Sequence, residues 1–152
     1  MDITDQDLQF AKETIIKMGL FSACTDDEIE QLLGGIEKQN YRQGATILFQ
    51  GEISSRLYLV EDGKVAVLIR KGKDKVKVAE LEPNGYFGEI SLLTPRAATA
   101  TIKAETDSVI LFLPGEVVQR LARENTTLHE TLASKIKERL DTQKPQTDAK
   151  PE

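Results

Sequence analysis

Glu89 and Arg96 stand seven positions apart in one segment of otherwise small, apolar or hydroxyl-bearing residues, Phe87-Gly88-Glu89-Ile90-Ser91-Leu92-Leu93-Thr94-Pro95-Arg96-Ala97-Ala98-Thr99. An arginine fork is matched to phosphate oxygens, and a carboxylate is the acceptor that a sugar hydroxyl needs. Gly85 and Gly88 allow turns closed to other residues and let another group come close. The residues from Glu89 to Leu93 predict a short helix with free amides at its start. Pro95 fixes the backbone before Arg96, and the small Ala97 and Ala98 leave their amides open to an anion beside the guanidinium. The segment therefore reads as an anion cradle. Each residue also has a local reading. Arg96 is a surface arginine paired with Glu89 or another carboxylate, Glu89 is a helix-start carboxylate favoured by the dipole, and Ser91 caps or packs. The two glycines are needed for the turns with or without a ligand.

Taken together, these residues resemble the phosphate-binding cassette of the cyclic nucleotide-binding domain family, of the protein kinase A regulatory subunit and catabolite activator protein type. The resemblance implies that Glu89 bonds the ribose hydroxyl and that Arg96, in Pro95-Arg96-Ala97-Ala98-Thr99, pairs with the cyclic phosphate. It makes Phe87, Gly88, Glu89, Ile90, Ser91, Arg96, Ala97, Ala98 and Thr99 the expected nucleotide-binding set. In the family, a threonine directly after the cassette arginine favours guanine. This chain has Ala97, which implies cAMP as regulatory ligand in preference to cGMP. One departure stands out: the family has a loop a residue or two longer between the helix and the arginine, and that loop sets where the guanidinium points.

The elements that must position this segment follow from periodicity. Residues 1–36 read as helical: Thr4 caps a helix carrying Leu8, Ala11, Ile15 and Met18 and stopped by Gly19. Thr25-Asp26-Asp27-Glu28 is a capping box ahead of Ile29, Leu32, Leu33 and Ile36. From 37 to 114 the period changes to two, with turns at Gly44, Gly51, Gly63, Gly72 and Gly85, a barrel or sandwich pattern that contains the 85–99 cassette. Asp62-Gly63 predicts a tight hairpin with positive φ at both positions. Residues 115–141 return to helix. Val117, Val118, Leu121 and Ala122 mark the first stretch, and a capping box at Thr127 opens a second with Leu128, Leu132, Ile136 and Leu140 at four-residue steps. The polar, proline-punctuated tail 142–152 is expected to be disordered. The resemblance implies an eight-stranded antiparallel jelly-roll β-barrel, cupin-like, with N-terminal helices and C-terminal lid helices, mainly β with flanking α.

Composition excludes other classes. The chain has 152 residues, 39% hydrophobic and 30% charged, with a net charge of −5, which argues for one domain and against a broad nucleic-acid surface. No run is apolar enough to span a membrane and the start is not a signal peptide, so a cytoplasmic location is expected. The single Cys24 forms no internal disulfide or cluster, and the single His129 cannot supply the ligand set of a metal-dependent cupin enzyme, so no metal and no enzymatic activity are expected. The residues after Leu140 leave no room for a helix-turn-helix, so no DNA partner is expected and any effector is another polypeptide. The predicted function is a stand-alone cyclic nucleotide sensor whose C-terminal helices shift on ligand binding. The alternative is a nucleotide-independent scaffold that dimerises through Leu128, Leu132, Ile136 and Leu140.

Overall fold

The computed structural model describes residues 2–149. Two capping boxes open the chain. In α1 (Asp5–Met18) the Asp7 amide donates to the Thr4 hydroxyl at 3.1 Å, and the Thr4 amide donates to the Asp7 carboxylate at 2.9 Å. In α2 (Asp26–Gly34) Thr25 and Glu28 repeat the arrangement, satisfying amides that a helix start leaves free.

Ten strands follow: β1 (Glu37–Tyr41), β2 (Thr46–Leu48), β3 (Ile53–Ser54), β4 (Arg56–Asp62), β5 (Val65–Lys71), β6 (Asp74–Leu81), β7 (Tyr86–Phe87), β8 (Arg96–Ala97), β9 (Thr101–Ala104) and β10 (Ser108–Pro114). They form two four-stranded antiparallel sheets, β1-β10-β4-β7 and β2-β9-β5-β6, with a two-stranded ribbon β3-β8. This is the expected antiparallel jelly roll with flanking helices.

The core is double. Side chains alternate across a strand, so Leu57 and Leu59 of β4 and Leu111 and Leu113 of β10 face the helices. Tyr58, Val60, Ile110 and Phe112 face the second sheet. This two-sided burial is why both strands read as unbroken apolar runs. The helix-side core joins Ala11 and Ile15 of α1 and Leu32 of α2. It also takes Val118 and Leu121 of α3 (Gly115–Glu124) and Leu128 and Leu132 of α4 (Thr126–Ala149).

Two local expectations need correction. Asp62-Gly63 is not a hairpin: β4 and β5 belong to different sheets, Gly63 alone has positive φ (89°), and a Cβ there would strike Ser108. The tight hairpin is β5–β6, closed by Gly72 (φ 62°). The α4 cap is Asn125, whose Oδ1 accepts from the Leu128 amide at 3.0 Å, and not Thr127. The α4 backbone is helical to Ala149. Residues 150–152 lie outside the described residues.

Candidate functional site

The cassette begins on the edge strand β7. Phe87 is buried between the sheets and stacks on Tyr58, ring centroids 4.6 Å apart and planes 4° from parallel. Gly88 follows at φ 92°, and a Cβ would collide with the Arg56 carbonyl oxygen, so both conformation and space demand glycine. At the preceding turn the positive φ falls on Asn84 (78°), not on Gly85. The expected helix from Glu89 to Leu93 is a single 3₁₀ turn, Glu89–Ser91. The Ser91 hydroxyl donates to the Gly88 carbonyl at 2.9 Å, which locks the turn, and Ile90 is half-buried beside it.

Glu89 is 7% exposed, an unusual position for a carboxylate. Arg139 of α4 approaches Oε1 with Nε at 3.4 Å, while Oε2 is buried with no hydrogen-bond partner among the described residues. Burial pushes the carboxyl above its ordinary value, and the Arg139 charge opposes that only in part. A cleft of about 250 Å³, lined by Met18, Leu20, Tyr86, Glu89, Lys135 and Arg139, opens beside it. A second tether joins the cassette to α3, where the Gln119 side-chain amide donates to the Leu92 carbonyl at 3.1 Å. Neither Arg139 nor Gln119 carries a sequence signal, because each acts over a long separation.

Arg96 lies on the ribbon, its register partner Ser54, and is exposed; no carboxylate forms an ion pair with it among the described residues. The reading of Arg96 as the partner of Glu89 therefore fails, since Glu89 is paired with Arg139. Of the two amides expected to face an anion, that of Ala98 donates to the Glu52 carbonyl at 2.8 Å. Successive amides along a strand point in opposite directions, so the Ala97 amide points away from β3. Thr99 is exposed just beyond the ribbon. The structure thus places Phe87 between the sheets, Gly88, Glu89, Ile90 and Ser91 on the helix side, and Arg96, Ala97, Ala98 and Thr99 on and just beyond the open ribbon, joined by the short loop 92–95. This geometry suits a ligand that offers a hydroxyl donor at one end and an anionic group at the other.

The C-terminal helix lies beside the cassette, not over the space between the sheets: among the described residues, the inner cluster contains none from α4. Leu128 and Leu132 are fully buried in the chain's own core and Ile136 is 7% exposed. No group of three or more potential metal ligands occurs among the described residues. Burial, aided by the Glu28 charge, pushes the Cys24 thiol up to about 11, far from a reactive thiolate. No described helix is long and apolar enough to cross a membrane.

The sequence matches the cyclic nucleotide-binding domain family over residues 38–125, more than half of its length, and the chain belongs to that family. It is 33% identical over 144 residues to a cAMP-dependent protein kinase regulatory subunit of Dictyostelium discoideum, covering 87% of this chain and 44% of the relative. It is 32% identical over 122 residues to a cyclic AMP receptor protein of Thermus thermophilus, covering 80% of this chain and 56% of that protein. The chain thus spans less than half of the first relative and little more than half of the second. Its fold is similar to the regulatory domain of Toxoplasma gondii PKA solved with cAMP, with a TM-score of 0.64, 22% identity, and coverage of 84% of this chain and 50% of that one.

Proposed function

We propose that the chain is a cAMP-binding regulatory domain with no catalytic activity of its own, acting in the cytoplasm on a separate effector protein, and that cGMP binds more weakly. The observation that carries this reading is the buried Glu89 Oε2 without a donor. A buried acceptor left unsatisfied is costly, and a ribose hydroxyl supplies the missing donor. Arg96 and the Ala97 amide then take the cyclic phosphate, and the base lies toward the apolar residues between the sheets.

The same carboxylate gives the ligand a route to the helices. Ribose bonds Oε2 while Arg139 holds Oε1, so a shift of the cassette is felt by α4 directly and by α3 through Gln119. Ligand changes the helix arrangement only to the extent of its differential affinity for the two arrangements. The scaffold alternative is less well supported, because Leu128 and Leu132 are already packed inside the chain.

Nucleotide preference rests on Ala97, which offers no hydroxyl to guanine. One hydrogen bond is worth about 0.5–1.5 kcal/mol, so cAMP is expected to bind roughly 2- to 12-fold more tightly than cGMP. Parallel calorimetric titrations test this, with Ala97→Thr expected to narrow the gap. Equal affinity for both nucleotides, unchanged in Ala97→Thr, would remove the basis for the preference.

A further inference from the structure

Arg56 opens β4, and its carbonyl oxygen lies against Gly88 of the cassette. By strand alternation it shares the face of Tyr58 and Val60, the face turned to the second sheet. Its guanidinium carbon stands 4.7 Å from the ring centroid of Phe112, itself 6% exposed within the inner cluster. The side chain thus lies against the inner cluster through a cation–π contact, and its N–H donors have no hydrogen-bond partner among the described residues. Two residues earlier, Ser54 is the register partner of Arg96, and its hydroxyl is 3.5 Å from the Tyr58 hydroxyl. Ser54 thus links the β8 position of Arg96 to Tyr58, which shares its face of β4 with Arg56. Neither arginine has a carboxylate partner among the described residues, although the chain carries an excess of acidic groups.

A cyclic phosphodiester presents two exocyclic oxygens. With the Ala98 amide already committed to Glu52, the ribbon is left with Arg96, the Ala97 amide and the Thr99 hydroxyl as expected donors, of which Arg96 alone is charged. Resting on the cyclic nucleotide reading above, we propose that Arg56 is a second cationic contact to the ligand phosphate, reaching it from β4 while Arg96 reaches it from β8. Two guanidinium groups then flank the one negative charge, and Phe112 fixes the direction of the Arg56 side chain.

The test separates charge from packing. Arg56→Met keeps an apolar side chain over Phe112 without charge, whereas Arg56→Lys keeps the charge without the planar fork. Arg56 is exposed, so both variants are expected to unfold within a few degrees of wild type. In calorimetric titration with cAMP, Arg56→Met is expected to lose roughly 10- to 100-fold in affinity, the range of a charged hydrogen bond, and Arg56→Lys to recover most of it. Wild-type affinity in Arg56→Met, or equal losses in both variants, would overturn the assignment while leaving the cyclic nucleotide reading intact. A wild-type chain that binds neither cAMP nor cGMP would overturn both.

Discussion

Glu89 shows how one residue links burial to recognition. Its carboxylate is shut away from water, one oxygen shared with Arg139 and the other without a donor among the described residues, at a net cost that a ligand hydroxyl would relieve under the proposed function. Because burial raises its pKa above the ordinary value of 4.5, the folded chain holds this proton more tightly than the unfolded chain does. Wild-type stability therefore falls as pH rises from about that value through the raised one. Glu89→Gln is expected to lessen the decline seen in urea titrations above about pH 4.5, leaving the part that Glu61 contributes, while losing roughly 10- to 100-fold in cAMP affinity with the loss of a charged acceptor. A variant that binds cAMP as wild type does would show that Glu89 is only a structural carboxylate. The chemistry of Glu89 and Arg96 is legible in sequence because both lie in one short segment. Arg56, Gln119 and Arg139 meet the cassette only after strands and helices distant in the chain are packed, so no local pattern points to them.

At the scale of elements, the helix starts at Thr4 and Thr25 can be read in advance because a capping box is closed between residues three apart. The start of α4 cannot. Asn125 ends α3 and caps α4 at once: its Oδ1 takes the Leu128 amide, and its Nδ2 donates to the Ala23 carbonyl and to Glu28 at 3.1 and 3.0 Å. Those partners lie about a hundred positions earlier, whereas the Thr127 pattern is local and misleading. Asn125→Ala is expected to cost about 1–2 kcal/mol, the range of a lost cap with its accompanying hydrogen bonds, measured by urea unfolding; a change within a few tenths would show that α4 is held by its leucines alone. The Asp62-Gly63 turn misleads for a related reason. A glycine turn signals reversal of the chain, but whether the next strand pairs with the last or crosses to the other sheet depends on which faces must be buried. Leu57, Leu59, Tyr58 and Val60 bury both faces of β4, placing it inside the first sheet between β10 and β7.

Across the whole molecule, α1 is joined to the first sheet by a small polar cluster remote from the cassette. Lys38 of β1 donates to Asp7 at 3.0 Å, and Glu61 of β4 shares a hydrogen bond with the same carboxylate. Burial alone would raise Asp7, but the bonds from Glu61, the Thr4 amide and Lys38 outweigh it and hold Asp7 below the usual carboxylate range. Burial, followed by the bond to Asp7 and the charges of Asp7 and Asp62, pushes Glu61 up to about 7, with Lys38 opposing. The folded chain thus retains the Glu61 proton that the unfolded chain has released, and stability declines as pH rises from about 4.5 to about 7. Glu61→Gln, which donates to Asp7 at every pH, is expected to flatten that part of the pH–stability curve; an unchanged slope would place the proton elsewhere. The central claim is that the cassette on this jelly roll captures a cyclic nucleotide, and it is tested most directly by calorimetric titration of the wild-type chain and of Arg96→Ala with cAMP. Saturable one-site binding by the wild type, with a loss of at least about 10-fold in a folded Arg96→Ala variant, is the predicted result. A folded wild type that takes up neither cAMP nor cGMP, or an Arg96→Ala variant that binds equally well, would contradict it.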